Sequence, residues 1–180
     1  MLKVAIISPL PPQQTGESSY TLRLIKELSK RNDLEIIAVA GKEAQDIAID
    51  NARVLPIWEG QSVLYPMAVF SHLSKLAPDI VHVQFGPYGK IFGGLFGEPM
   101  LLLLMLLRLG GFPTTITLHS TWMPHQVLER SRSWSHLGKF GFLSPAFFRL
   151  YMRLLDKGCT TIQISTVTTN SKLRESFLEE

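Results

Sequence analysis

The sequence has one cysteine, Cys159, which leaves it without an internal disulfide or a cysteine-built zinc site. That usage fits a reducing cytoplasm, the compartment expected here, and Cys159 itself reads as a small core residue. Long hydrophobic runs are missing too. The most apolar segment, MLLLLMLL at 100–107, is well short of the ~18 consecutive residues expected of a membrane span. The apolar start of MLKVAIISPL is too short for a secretory signal and reads as a buried first strand. There is little excess charge of either sign. The formal balance is +3, with the basic residues scattered through predicted helices, which points to solubility with some anion preference and away from nucleic-acid binding.

Several motifs are absent, and each absence removes a class of chemistry. There is no G-x-G-x-x-G after the first strand and no G-x-x-x-x-G-K-[ST] anywhere, which counts against ordinary dinucleotide and P-loop binding. GGLFG at 93–97 lacks the glycine that would open such a motif. His119 and His125 have no H-E-x-x-H spacing and no acidic cluster, so no metal site is expected. A G-x-S-x-G elbow is missing as well, which excludes the usual serine hydrolase arrangement. Paired carboxylates at strand ends, which a glycosidase would need, are not found.

What is present is an alternation of strands and helices. Lys3 to Ser8 is a nearly continuous apolar run, as expected of a parallel strand covered on both faces. Pro9, Pro11 and Pro12 break regular structure after it, and Gly16 supplies a permissive backbone before a helix. Ser18 or Ser19 is the expected N-cap, and Tyr20, Leu24, Ile25 and Leu28 form the expected buried face. The unit then recurs. Strands are predicted at 34–40, 53–58, 79–85 and 113–119, with helices over 63–76 and from Glu98 and Pro99 to the Gly110–Gly111 stop. The second of these helices is apolar all round and should be heavily buried. The pattern predicts an α/β domain built on an open parallel Rossmann-like sheet with helices on both faces.

Residues 120–143 hold Trp122, Trp134 and few periodic signals; a loop this long in a small domain is usually functional or mobile. Ser144 and Pro145 then start a helix that Gly158 stops, a strand follows at 161–169, and Asn170 caps SKLRESFLEE. The sequence ends inside that helix without a stop signal. A single domain over 1–180 that continues into something further is therefore expected.

In an open parallel sheet, ligands meet the carboxyl ends of the strands where strand order reverses. This selects the loop running into Gly16, Gln84 to Gly89, and His119 to Trp122. A helix N-terminus after TGESS favours an anion, although any strand-to-helix turn needs a flexible residue. His82 and Gln84 share one face of their strand, and Thr115, Thr117 and His119 share one face of theirs. A satisfied core or rim histidine is the commoner occupant of such positions. His119 stands apart because it ends its strand, where a neutral imidazole can bond a sugar hydroxyl or accept a proton near neutral pH.

In order, SPLPPQQTGESSYTLRLIKEL, DIVHVQFGPYG, GGLFGEPMLLLLMLLR, TTITLHS and VTTNSKLRESF resemble the N-terminal domain of the retaining, nucleotide-sugar-dependent glycosyltransferases of family 4, which have the GT-B fold. The resemblance runs over essentially the whole chain. It implies one half of a two-domain enzyme with no obligatory metal or cofactor: this half shapes a glycan or lipid-linked acceptor site, and a C-terminal half or partner chain holds the nucleotide-sugar donor. Gly16 matches the turn that approaches the donor diphosphate, with Glu17 and Ser18 beside it. Gln84 and Tyr88 match the acceptor-facing loop, and His119 matches a histidine near the transferred sugar. In this family the departing phosphate is thought to help accept the acceptor's proton, which implies a sugar-positioning His119 more than an essential base. The family usually has two adjacent glycines in the first turn, where this chain has Thr15 and Gly16. The paired glutamates and basic residues of the donor half have no counterpart.

Two other readings remain. One is a catalytically silent Rossmann-like interaction subunit that docks a partner through its cleft. The other adds peripheral membrane contact: Trp134, Phe140, Phe142, Phe147 and Phe148 lie near Lys139, Arg149, Arg153 and Lys157, a mixture that suits an anionic bilayer surface. The plainer explanation of the second is a core helix with a solvated basic face.

Overall fold

Six short strands with the predicted helices between them form one sheet in the order β3-β2-β1-β4-β5-β6, every neighbouring pair parallel. The structure is a computed structural model and describes residues 1–59, 62–86, 89–94, 97–119 and 144–164. The strands are β1 (Leu2–Ile7), β2 (Leu34–Gly41), β3 (Ala52–Trp58), β4 (Ile80–Phe85), β5 (Thr114–Leu118) and β6 (Thr161–Ile164). The helices are α1 (Gly16–Leu28), α2 (Tyr65–Leu76), the single turn α3 (Gly89–Phe92), α4 (Pro99–Leu109) and α5 (Ser144–Gly158). Strand order runs outward from β1 in both directions, to β2 and β3 on one side and to β4, β5 and β6 on the other. The switch point therefore lies between β1 and β4.

Alternation along the strands sends side chains to two different cores. Ala5, Ile7, Ile37, Val39, Val81, Val83, Phe85, Ile116 and Leu118 meet α2, α4 and α5 through Val69, Leu73, Leu103, Leu107 and Leu155. Ile6, Ile36 and Ala38 face the other way and pack with Ile25 of α1 and with Leu10. Helices thus cover both faces. The second face has a polar half: His82 and Gln84 on β4, and Thr115 and Thr117 on β5, occupy the positions where β1 and β2 carry aliphatic residues.

Several boundaries differ from the sequence expectation for local reasons. Helix α1 begins at Gly16, and its N-cap is Thr15, whose hydroxyl accepts from the Ser18 backbone N–H at 3.1 Å; Ser18 and Ser19 already lie in the first turn. Its buried face is centred on Ser18, Thr21 and Ile25, so Tyr20 sits at the edge and is 45% exposed. Helix α4 buries one side deeply, but Leu102 and Leu109 are exposed because no described element covers that flank. The glycine-rich segment after β4 contains the turn α3. Arg149, Arg153 and Lys157 are exposed on α5. The expected loop at 120–143, the remainder of the last strand and the helix after Asn170 lie outside the described residues. Among the described residues, no helix is long and apolar enough to cross a membrane.

Candidate functional site

At the carboxyl edge the chain leaves β1 through Ser8, whose N–H continues the ladder to the Val39 carbonyl at 3.1 Å. The Ser8 hydroxyl lies 2.7 Å from that of Thr21, pinning the strand end to α1. Beyond it lies an open depression of about 560 Å³ lined by residues 11–16 and Ser19. Helix α1 begins at this place, where anions are favoured, although Thr15 already caps the Ser18 N–H. A Cβ added at Gly16 would meet no heavy atom within 4 Å, and its backbone is not in the left-handed region. No turn geometry therefore demands glycine at this position. Ser18 is fully buried and its hydroxyl has no hydrogen-bond partner; a buried, unanswered hydroxyl calls for an explanation.

The polar face of β4 and β5 adjoins this helix start. Register pairs His82 with Thr115 and Gln84 with Thr117, so the side chains expected to share a face on each strand come together across them. His82 Nδ1 is 2.6 Å from the Thr115 hydroxyl. His82 Nε2 is 2.8 Å from the Gln84 amide nitrogen and 3.3 Å from the Thr117 hydroxyl. The Gln84 amide oxygen accepts from Nε2 of His119. His119 directly follows β5, and its backbone N–H donates to the Phe85 carbonyl at 2.9 Å, so the ladder itself holds it at the lip. Its half-buried ring meets the Tyr20 ring edge-on with centroids 5.1 Å apart.

Electrostatics place Glu17 here as well. Burial pushes His119 below the ordinary histidine pKa, while the nearby Glu17 carboxylate pulls in the opposite direction. Burial, and then the neighbouring His119 ring, lower His82. Both imidazoles thus favour the neutral form at neutral pH. Because both folded pKa values lie below the unfolded value of about 6.5, the unfolded chain binds protons first as pH falls. Stability should be full above that value and should decline below about pH 6.5, by at most about 1.4 kcal/mol per pH unit per histidine, with a smaller share from the more solvated His119. Urea unfolding at pH 7.0 and 5.5 checks this, and His82→Gln should flatten the slope. Equal stabilities at the two pH values would contradict it.

All but one of the residues singled out in the sequence thus have definite places. His119 meets α1 through the Tyr20 ring and feels the Glu17 carboxylate, and Gly16 and Ser18 flank Glu17 in the first turn of that helix. Gln84 is fully buried with both ends of its amide engaged, so it reaches a ligand only through His119. Tyr88 lies outside the described residues. Tyr20, expected in the core, joins the site, and so does His82, for which a satisfied core or rim histidine is the commoner reading; the signal for His82 was the polar alternation in DIVHVQF and TTITLH, where a doubly covered parallel strand would be apolar throughout. Among the described residues, no group of three or more His, Cys, Asp or Glu side chains is placed to hold a metal ion.

No protein-family model matches the sequence, and no curated protein matches it. Among solved structures, the glycotransferase of kitacinnamycin is 13% identical with a TM-score of 0.48, over 87% of this chain and 40% of its own. A UGT transferase from Siraitia grosvenorii, crystallised with UDP, is 10% identical with a TM-score of 0.45, over 74% of this chain and 28% of its own. Apo UGT2 from Phytolacca americana is 12% identical with a TM-score of 0.44, over 74% and 32%. This chain therefore spans less than half the length of each of these proteins. By its own topology it is an open, all-parallel Rossmann-like α/β sheet whose polar side chains gather at the carboxyl edge beside the switch point.

Proposed function

We propose that this chain is the acceptor-side half of a nucleotide-sugar-dependent glycosyltransferase, acting with retention on a glycan or lipid-linked acceptor together with a donor-binding half supplied by further residues or a partner chain. The observation that carries this reading is the meeting of His119 with the start of α1, whose Tyr20 ring it touches and whose Glu17 carboxylate acts on it. The helix start favours a diphosphate, Gly16 leaves its backbone open to close approach, and in this reading the imidazole meets the sugar of a donor bound there. Glu17 suits a different role from Gly16. A buried carboxylate would repel a diphosphate, whereas beside His119 it favours the imidazolium as positive charge gathers on the ring. Ser18 is buried and does not line the depression at the helix start, so its part in this reading is to seat α1 against the sheet.

In this reading the chemistry is electrostatic. The helix N-terminus steadies negative charge on the leaving diphosphate, and His119 orients the sugar through a hydrogen bond that strengthens as the transition state forms. No strong base from this half is required.

The test is donor-dependent sugar transfer or donor hydrolysis by the complete protein, with the anomeric configuration of the product read by NMR. His119→Ala should lower kcat by about 10- to 100-fold, in line with the loss of one positioning or charge-stabilising group. Gly16→Ala should separate folding from binding: it should leave stability unchanged or raise it by up to about 1 kcal/mol while weakening the donor severalfold, because the new methyl fills the space above the helix start. A complete protein that turns over no nucleotide-sugar, with Gly16→Ala silent in donor binding, would favour an interaction subunit instead.

A further inference from the structure

Gln84 spends both ends of one buried amide on two histidines, and this constrains where their protons sit. A carboxamide has an acceptor oxygen and a donor nitrogen. Its oxygen faces Nε2 of His119, so that nitrogen carries a hydrogen. Its nitrogen donates toward Nε2 of His82 at 2.8 Å, so the imidazole Nε2 must be unprotonated and accept through its lone pair, because two donors cannot face each other. His82 therefore bears its proton on Nδ1 and donates it to the Thr115 hydroxyl, 2.6 Å away. The Thr117 hydroxyl, at 3.3 Å, provides a second donor to Nε2 of His82. The four side chains Thr115, His82, Gln84 and His119 form one directed chain across β4 and β5. Among the described residues none bonds Nδ1 of His119.

We propose that Gln84, backed by His82 and Thr115, is a positioning residue that holds His119 as its Nε2–H tautomer and so makes Nδ1 the atom that meets a substrate hydroxyl. The consequence for catalysis rests on the reading of His119 as sugar-facing; the proton assignment rests on the hydrogen-bond geometry alone. His119 can take up a second proton at Nδ1 without disturbing Gln84, whose oxygen still faces an N–H. His82 cannot be protonated on Nε2 without setting its new N–H against the amide N–H. One histidine thus stays neutral and orients the amide, and the other is left free to exchange hydrogen bonds. If the amide turned over, both histidines would have to switch tautomer together, so the two rings are coupled.

Long-range ¹⁵N–¹³C imidazole spectra of the full-length protein at neutral pH test the assignment. Expected are His82 as the Nδ1–H tautomer, the less populated form of free histidine, and His119 as Nε2–H. Thr115→Val keeps the side-chain shape and shares no hydrogen bond with His119. It should nevertheless release His82 toward Nε2–H, reverse the amide, and change the His119 tautomer ratio by on the order of tenfold, the scale set by leaving a buried polar group unanswered. Gln84→Leu should let His82 and His119 settle independently of each other. A wild-type His82 found as Nε2–H, or a His119 ring that ignores Thr115→Val in a folded protein, would overturn the proposal. Restoring the wild-type spectrum with Thr115→Ser, which returns the hydroxyl, distinguishes proton placement from packing. The spectra read the rings directly and decide the assignment whether or not the complete protein transfers sugar, so failure of either reading shows separately.

Discussion

Truncating Phe85 to alanine is expected to cost the fold about 3 to 5 kcal/mol, the range found for large aromatic-to-alanine changes in packed cores. Phe85 closes β4 and is 1% exposed. Its ring meets that of Phe92 with centroids 5.1 Å apart, and the backbone at Gly97 lies directly against it. The ring therefore supports the glycine-rich segment from below. The resulting cavity would be lined by Phe92 and the Gly97 backbone on one side and by the hydrogen-bonded sheet on the other. Against a total stability of typically 5 to 15 kcal/mol, the loss is a large fraction. The backbone carbonyl of Phe85 that anchors His119 survives the substitution, so the effect should fall on stability first. Urea unfolding should show a lower midpoint at an unchanged m-value. A loss below about 1 kcal/mol would mean that the ring is not the support described.

Gly97→Ala is expected to be almost as damaging, at about 2 to 4 kcal/mol, since left-handed backbone penalises a Cβ and overpacking adds to the cost. Gly97 has φ +75°, and a Cβ there would stand 2.9 Å from Phe85 Cε2 and 3.3 Å from Phe92 Cβ. Neither neighbour is the free end of a flexible chain; both are locked in the same aromatic stack. Gly16→Ala is the natural control, because the same change in open space should be harmless to folding. Thermal melts of the two variants side by side make the comparison, and equal melting temperatures would refute the assignment of strain to Gly97. The double change Phe85→Leu with Gly97→Ala should recover part of the loss, because the two side chains compete for one volume.

The contrast between Gly16 and Gly97 shows how far the sequence could be read. Both glycines stand at the carboxyl edge of the sheet next to a helix start, and the motif around Gly16 drew attention to it as permissive backbone. The structure assigns conformational need to Gly97, because φ and close approach depend on what packs above and below a residue. The N-cap followed the same logic. Thr15, Ser18 and Ser19 are all competent caps, and the path of the chain out of the proline segment selected Thr15. Tyr20 looked like core by spacing. The turn of α1 about its axis, set by Ser18, Thr21 and Ile25 against the sheet, moved it to the rim beside His119.

Sequence alone determined the alternation of strands and helices, the two-faced character of DIVHVQF and TTITLH, and the position of His119 at a strand end, because side-chain period and strand length follow from backbone geometry over a few residues. Tertiary structure alone decided that β4 and β5 are neighbours in a register that sets His82 on Thr115 and brings Gln84 to His119, and that Glu17 lies close enough to act on the same imidazole. Those contacts join residues 33 to 35 positions apart along β4 and β5, and the first turn of α1 is more distant still. Pairings at such separations arise from the packing of the whole sheet, which no local pattern of apolar and polar residues encodes.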